Sequence, residues 1–411
     1  MADMETPGYI VQQLSQGRRQ LRVALVTETY PPEVNGVAMT IGRMVEGLLA
    51  RGHRVQLIRP RQSAADAART EPQLEEVLGR GVPIPRYAGL RMGLPAKRQL
   101  VRLWSHRRPD LVHVVTEGPL GWSAIAAARH LHLPVASDFH TNFHSYSRHY
   151  GLAWLRHPIA AYLRRFHNRT DLTLVPTQAL AEQLSHLGYR NVAVVARGVD
   201  TALFSPGKRS EILRASWGAG PDDLVVSYVG RLAPEKNLPL VFRAFDALQA
   251  RHPGARLLLV GDGPERAALG VPRQGHHYAG QRTGEDLAAH YASSDLFLFP
   301  SLTETFGNVT AEALASGVPV VAYDYAAAAE LILPERNGVR VTVGDEEAFI
   351  AAACRLAGDA CLRRAMGDEA ARRAARYDWN DIHNQFAGLL AEMVDQHERK
   401  NRAQAFVFAP D

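Results

Sequence analysis

The feature that most limits what this chain can fold into is a series of short strand-like runs, the first of them unbroken in apolarity. The first series comprises "RVALVTE" (22–28), "HRVQLIRP" (53–60), "PDLVHVVT" (109–116), "PVASDFH" (134–140), "DLTLVPT" (171–177) and "NVAVVARG" (191–198). Unbroken apolarity is the mark of a parallel strand covered on both faces. Helical segments separate most of these runs, such as "AMTIGRMVEGLLARG", which stops at Gly52. That is the βαβ rhythm of a doubly wound sheet. The rhythm then restarts with "DLVVSYVGRL" (223–232), "ARLLLVGDGP" (255–264), "HHYAGQ" (276–281), "SDLFLFP" (294–300) and "VPVVAYD" (318–324). Between the two series lies residues 198–223, a stretch with two prolines and four glycines that reads as a linker. A chain of 411 residues also exceeds one ordinary core. The expected fold is therefore α/β, with two Rossmann-like doubly wound domains facing across a cleft. They cover residues 1–197 and 198–379, and a closing helix over 380–411 is expected to pack back on the first. Residues 61–100, weak in strand pattern and rich in Arg, Pro and Gly, read as a loop excursion.

Composition narrows the partners. The chain is 46% hydrophobic and 22% charged, as a globular protein with a large core is. No run reaches the roughly 18–20 apolar residues of a membrane span. The start, "MADMETPGYIVQQLSQGRRQ", lacks an apolar signal core, so the expected location is cytoplasmic. Cys354 and Cys361 lie seven apart in a helical pattern and are expected to share one face as small apolar groups. The net charge of +5 is unevenly spread: residues 1–196 hold 24 Lys and Arg against 14 Asp and Glu. A basic first half suits an anionic partner, such as phosphate or an anionic membrane surface. No aromatic-basic recognition motif accompanies it, so nucleic acid is not expected.

In open parallel sheets ligands bind beyond the carboxyl ends of strands. The informative residues should follow strands, and they do. "VGRLAPEKN" (229–237) puts Gly230, Arg231 and Lys236 in one post-strand loop, two cations able to grip a diphosphate. Only four lysines occur in the whole chain, and Lys236 is one of them. "SLTETFGNVTAEALASG" (301–317) places Gly307 at a tight turn and a helix start near Asn308 or Val309, whose positive end is an anion site. Glu304 stands in the loop before it, and Glu312 is expected in the helix's first turn. Ionised carboxylates only accept hydrogen bonds, which suits the hydroxyls of a sugar or ribose. Diphosphate on the cations and hydroxyls on the glutamates together describe a nucleotide sugar. "VGDGPE" (260–265), with Gly261, is a partial G-x-G whose third position is Arg266, which argues against dinucleotide binding.

These residues resemble the family 4 retaining glycosyltransferases of the GT-B fold. The marks are E-x7-E as Glu304 and Glu312, "GRLAPEKN", "VGDGP", and "RGVDTALFSP" at the domain junction. "TYPPEVNGVA" (29–38) and "DFHTNFHSYSRHYG" (138–151) look most like a bacterial branch that glycosylates lipids. The resemblance implies that Arg231 and Lys236 bind the donor diphosphate and stabilise the leaving group. It implies that Glu304 holds the sugar hydroxyls, beside the amides of Phe306, Gly307 and Asn308, and that Glu312 takes the ribose diol. Gly36 would lie beside the diphosphate and His140 near the donor sugar. Gly230, Gly261 and Val309 complete the expected donor site. No D-x-D triplet offers a carboxylate pair for a metal, and no cofactor is implied. The implied reaction is a metal-independent, same-face transfer of a hexose to a lipid or glycolipid. GDP-mannose is the favoured donor and UDP-glucose or UDP-glucuronate the alternative.

The basic half would carry the acceptor. "GLAWLRHPIAAYLRRFHNR" (151–169) spaces Leu152, Leu155, Ile159, Tyr162, Leu163 and Phe166 helically, with Arg156, Arg164, Arg165 and Arg169 between. Such a helix suits either a core face or an anionic membrane surface. A phosphorylase would need a pocket lysine for pyridoxal phosphate, for which no clear candidate exists. A non-catalytic nucleotide-sugar-binding protein would share the same donor residues.

Overall fold

The computed structural model describes residues 19–33, 35–83, 91–140, 156–271 and 273–407. The first domain runs β1 (Arg22–Val26), α1 (Gly36–Ala50), β2 (Arg54–Pro60), β3 (Leu74–Gly79), β4 (Gly81–Pro83), β5 (Arg91–Gly93), α2 (Lys97–His106), β6 (Leu111–Val114), α3 (Pro119–His130), β7 (Val135–Asp138), α4 (Arg156–His167), β8 (Leu172–Val175), α5 (Gln178–His186) and β9 (Val192–Val194). The second runs α6 (Glu211–Ser216), β10 (Val225–Val229), α7 (Leu238–Gln249), β11 (Arg256–Val260), β12 (His276–Gly280), α8 (Gly284–Ala292), β13 (Leu296–Phe299), α9 (Asn308–Ala315), β14 (Val320–Tyr323), α10 (Ala326–Leu331), β15 (Gly338–Val341), α11 (Glu346–Gly358) and α12 (Ala360–Ala374). The long α13 (Trp379–Val407) follows.

Two parallel sheets result, ordered β3-β2-β1-β6-β7-β8-β9 and β12-β11-β10-β13-β14-β15. The apolar runs become strands because helices cover both faces: β10 and β13 are buried at every position. In each sheet the chain winds outward in both directions from one point. That point lies between β1 and β6 in the first sheet and between β10 and β13 in the second. A crevice opens beyond the carboxyl ends of strands at such a switch. The loops after β10 and β13, which hold Arg231, Lys236 and Glu304, and the loop after β1 that leads into α1 at Gly36, therefore border these crevices.

Helix α13 returns to the first domain. Its Ile382, Phe386, Leu390 and Val394 pack in one core with Ile41, Met44, Val45 and Leu48 of α1. The approach is so close that a Cβ on Gly47 would lie 2.2 Å from the His383 ring. Each fully buried side chain of this size contributes about 1.5–3 kcal/mol, so this strap is well anchored.

Several expectations need correcting. Residues 61–100 are more than a loop excursion: β3 extends the main sheet parallel to β2, and β4 and β5 form an antiparallel hairpin. The acidic strand "LEEVLG" does not read as a strand because Glu76, 4% exposed, owes its burial to two ion pairs, with Arg59 (3.1 Å) and Arg69 (2.7 Å). β15 was likewise unforeseen. Cys354 and Cys361 do not share a helix: the break at Asp359 puts one in α11 and the other, exposed, in α12. The linker is ordered, because buried Arg214 of α6 ties it to Asp295 at 3.0 Å. In α4, Leu163 and Phe166 enter the core while Tyr162 stays 42% exposed. Leu152 and Leu155 lie outside the described residues.

Candidate active site

The loops after β10 and β13 are joined along their backbones. Leu302 N donates to the Glu235 carbonyl at 2.8 Å. That link brings Lys236, at the end of a short 3-10 turn, against Glu304: the ammonium pairs with Glu304 Oε1. Ser301 Oγ donates to the same oxygen at 2.8 Å. The Lys236 Nζ also stands 5.5 Å over the Phe299 ring. With side chains only 12% and 14% exposed, this pair is shielded from bulk water, so its charges act on each other more strongly than they would in solvent. Arg231 pairs with Glu235, whose side chain is fully buried, and its backbone carbonyl accepts from Tyr228 OH at 2.9 Å.

Two helix N-termini converge on the same space. Gly307, in the left-handed region at φ +93°, turns the chain into α9, and no side chain caps that helix. Opposite it, α1 begins at Gly36, with Asn35 Oδ1 accepting from Ala38 N at 2.8 Å. A Cβ on Gly36 would lie 3.9 Å from Asn308 Nδ2, and that nitrogen is 3.5 Å from Thr40 Oγ1. Each helix start carries the equivalent of about half a positive charge. The crevice is thus bordered by two helix N-termini and by two cations, Arg231 and Lys236, each paired with a glutamate.

Gly230 and Gly261 let the β10 and β11 loops touch. A Cβ on Gly261, at φ +140°, would fall 1.9 Å from the Gly230 carbonyl oxygen. Phe306 is buried, and its carbonyl accepts from Ala327 N at 2.8 Å. Val309, next along α9, is half-buried against the second-domain core.

Glu312 lies in the second turn of α9 rather than the first, because the helix starts at Asn308. Complementing the dipole therefore does not explain it. Its Oε2 accepts from Tyr291 OH at 2.9 Å, and burial pushes its carboxyl up to about 7, with the tyrosine hydrogen bond opposing.

His140 follows β7 on the far wall. Its carbonyl accepts from Thr305 Oγ1 at 2.5 Å, a hydrogen bond across the crevice. Its ring, 6% exposed, points inward: Nε2 meets Asp138 Oδ2 at 3.2 Å and Nδ1 meets Arg197 at 3.3 Å. Sequence reasoning missed Asp138, Arg197, Tyr291, Ser301 and Thr305. Asp138 ends β7, Arg197, Ser301 and Thr305 follow strands and Tyr291 lies in α8, but none stands in a spacing that singles it out.

Two facing doubly wound domains with a cationic crevice at their switch points define a GT-B glycosyltransferase. Comparison with known proteins agrees. The family model described as "Glycosyltransferase Family 4" matches residues 34–203, and "Glycosyl transferases group 1" matches residues 223–359. A GDP-mannose-dependent alpha-mannosyltransferase of Mycobacterium tuberculosis is 36% identical over 80% of this chain and 85% of its own length. An alpha-monoglucosyldiacylglycerol synthase of Acholeplasma laidlawii is 27% identical over 73% of this chain and 80% of its own. In fold, a sucrose-phosphate synthase from Thermosynechococcus elongatus superposes with a TM-score of 0.74 at 21% identity, covering 92% of this chain and 100% of that one. The chain belongs to glycosyltransferase family 4 and is a glycosyltransferase. No helix among the described residues is long and apolar enough to cross a membrane.

Proposed function

We propose that this enzyme transfers a hexose, mannose from GDP-mannose in the first instance, to a lipid or glycolipid acceptor with retention of anomeric configuration. The observation that carries the reading is the convergence of α1, α9, Arg231 and Lys236 on one crevice, with Glu304 and Glu312 beside them. In this reading the diphosphate lies between the two helix ends. Arg231 and Lys236 offset the charge that develops on it as the sugar leaves, the task a metal ion performs in other enzymes. Glu304 accepts from the sugar hydroxyls and Glu312 from the ribose diol. The departing phosphate takes the proton from the acceptor hydroxyl as that oxygen attacks the same face. Gly36, Gly230, Gly261, Phe306, Gly307, Asn308 and Val309 shape the donor site.

The mannosyl donor is favoured by the mycobacterial relative, and the lipid acceptor by the diacylglycerol named in the Acholeplasma relative. The glucosyl group in the latter's name also favours a second reading, glucosyl transfer to diacylglycerol, for which the donor would be UDP-glucose, or UDP-glucuronate if the sugar is glucuronate. An acceptor of this kind places the enzyme peripherally on the inner face of the plasma membrane. The exposed Arg164, Arg165 and Tyr162 of α4 offer a surface for it.

Thermal unfolding with GDP against UDP separates the donors. A nucleotide at 100 times its dissociation constant stabilises by about 2.7 kcal/mol. GDP is expected to raise the melting temperature and UDP to leave it nearly unchanged; a larger shift with UDP would sink the GDP-mannose reading. Release of GDP from GDP-mannose on adding lipid acceptor then tests transfer itself. Gly261→Ala is expected to weaken GDP binding at least tenfold, because the new methyl has only the Gly230 backbone to displace. Unchanged affinity would remove the Gly230–Gly261 contact from the donor site.

A further inference from the structure

Beneath the crevice wall lies a buried chain of charge that the donor site does not use. Asp138 and Arg197 are 3% and 5% exposed, and His140 separates them. Arginine only donates, so His140 Nδ1 must be the unprotonated nitrogen. Nε2 then carries the proton and donates to Asp138 Oδ2 at 3.2 Å. The ring is a neutral bridge between a carboxylate and a guanidinium, held at both ends. The same Asp138 oxygen accepts from His113 Nε2 at 2.9 Å, and His113 stands edge-on to Phe386 of α13 with ring centroids 5.3 Å apart. Burial pushes the Asp138 carboxyl up, but the two histidines outweigh it and hold the group well below its ordinary value. His140 is pushed down, chiefly by burial.

Buried ions are costly, and apolar side chains of the same size fill space more cheaply. What this arrangement supplies beyond packing is a fixed ring at the residue whose carbonyl receives Thr305, the neighbour of Glu304.

We propose that Asp138 and Arg197 are positioning residues: they lock His140 so that its carbonyl captures Thr305 and sets the donor loop in register with the acceptor half. The inference rests on the donor-site reading above. The nucleotide is gripped largely from the second domain, so misplacing His140 should spare nucleotide binding. It should instead slow the step that needs both halves assembled. Arg197→Met, Arg197→Lys, Asp138→Asn and Thr305→Val test this in the full-length enzyme.

Arg197→Met and Thr305→Val are expected to lower kcat at least tenfold, with the GDP dissociation constant within twofold of wild type. Arg197→Lys, which keeps one donor for Nδ1, should recover most of the rate. Asp138→Asn keeps an acceptor oxygen but no charge and should fall between. Combining Asp138→Asn with Thr305→Val should cost no more than the worse single change, since both cut one linkage. Thr305→Val removes no buried charge, so it decides the matter should the others fail to fold. A wild-type kcat in Thr305→Val, GDP affinity falling in step with kcat, or Lys no better than Met at position 197 would each overturn the proposal.

The lock can also be read without turnover. In protein carrying 15N-labelled histidine, with His140 assigned through His140→Gln, the wild-type ring should be the neutral Nε2–H tautomer and Arg197→Met should lose that state. A wild-type imidazolium or Nδ1–H tautomer also overturns it. Absence of wild-type turnover with GDP- or UDP-hexoses would instead be a failure of the proposed function, and the ring spectrum separates the two.

Discussion

Replacing Lys236 by alanine is expected to lower kcat/KM about a thousandfold, equivalent to about 4.1 kcal/mol of transition-state stabilisation. Two losses combine. The ammonium that faces the leaving diphosphate disappears, and preorganised groups of this kind are worth about 10²–10³ each in a shielded site. Glu304 is also deprived of its counter-charge at a position only 14% exposed. Ser301 remains to hold one oxygen but carries no charge to balance it. Lys236→Arg is expected to recover only part of the rate, because a broad planar fork does not fit a seat between Glu304 and the Phe299 ring built for a compact ammonium. Arg231→Ala should be milder, about a hundredfold, since Arg231 is 34% exposed and water partly replaces it. Steady-state kinetics with GDP-mannose and GDP affinity by calorimetry check these values. A Lys236→Ala enzyme within tenfold of wild type would remove Lys236 from the leaving-group site.

Glutamine at position 312 is expected to make the protein more stable and a poorer binder of nucleotide at the same time. The Glu312 carboxyl is raised to about 7 from an ordinary value near 4.5, because burial disfavours its ionised form. Between those two pH values the native state holds a proton that the unfolded chain has released. The group's contribution to stability is therefore whole below about pH 4.5 and is lost as pH rises through 7. Glutamine never ionises and loses nothing on that rise. Glu312→Gln should melt above wild type at pH 8, and the gap should close towards pH 5. Binding should move oppositely, with GDP affinity falling about tenfold or more, since hydrogen bonds to a charged acceptor contribute about 1.5–3 kcal/mol. Scanning calorimetry at both pH values and titration with GDP give the two readings. A variant less stable at pH 8, or one binding GDP as wild type does, would make Glu312 a structural residue. A site that tolerates a destabilised carboxylate trades stability for recognition.

These two variants probe opposite electrostatic choices in one crevice. Glu304 is held by a cation and Ser301, whereas the side-chain hydrogen bond of Glu312 among the described residues is to a neutral tyrosine hydroxyl. The first carboxylate is held ready in its place, and the second is left to gain from a ligand.

Much of this was legible along the chain. The apolar runs "SDLFLFP" and "DLVVSYVG" announced β13 and β10, because a strand covered on both faces is apolar at nearly every position, and that is a local requirement. Gly307 and the turn into α9 were readable for the same reason, since one backbone conformation decides them. Motif spacing likewise placed Lys236 and Glu304 in loops after strands, and the sheet order makes those strands neighbours. What escaped was mostly what depends on side-chain pairing or on where a helix breaks. "LEEVLG" does not look like a strand until Arg59 and Arg69 neutralise Glu76. Residues 354 and 361 look like one helical face until the chain breaks at Asp359. His140 was visible as a histidine after a strand, but not as a ring clamped between Asp138 and Arg197, 57 positions apart from the latter. The order of apolar and polar residues announces the elements whose covered faces are apolar, because that pattern repeats among neighbours a few residues away. Only the folded chain decides which charges meet, because electrostatic pairing acts through space, and its strength is set by how much water the surrounding structure excludes.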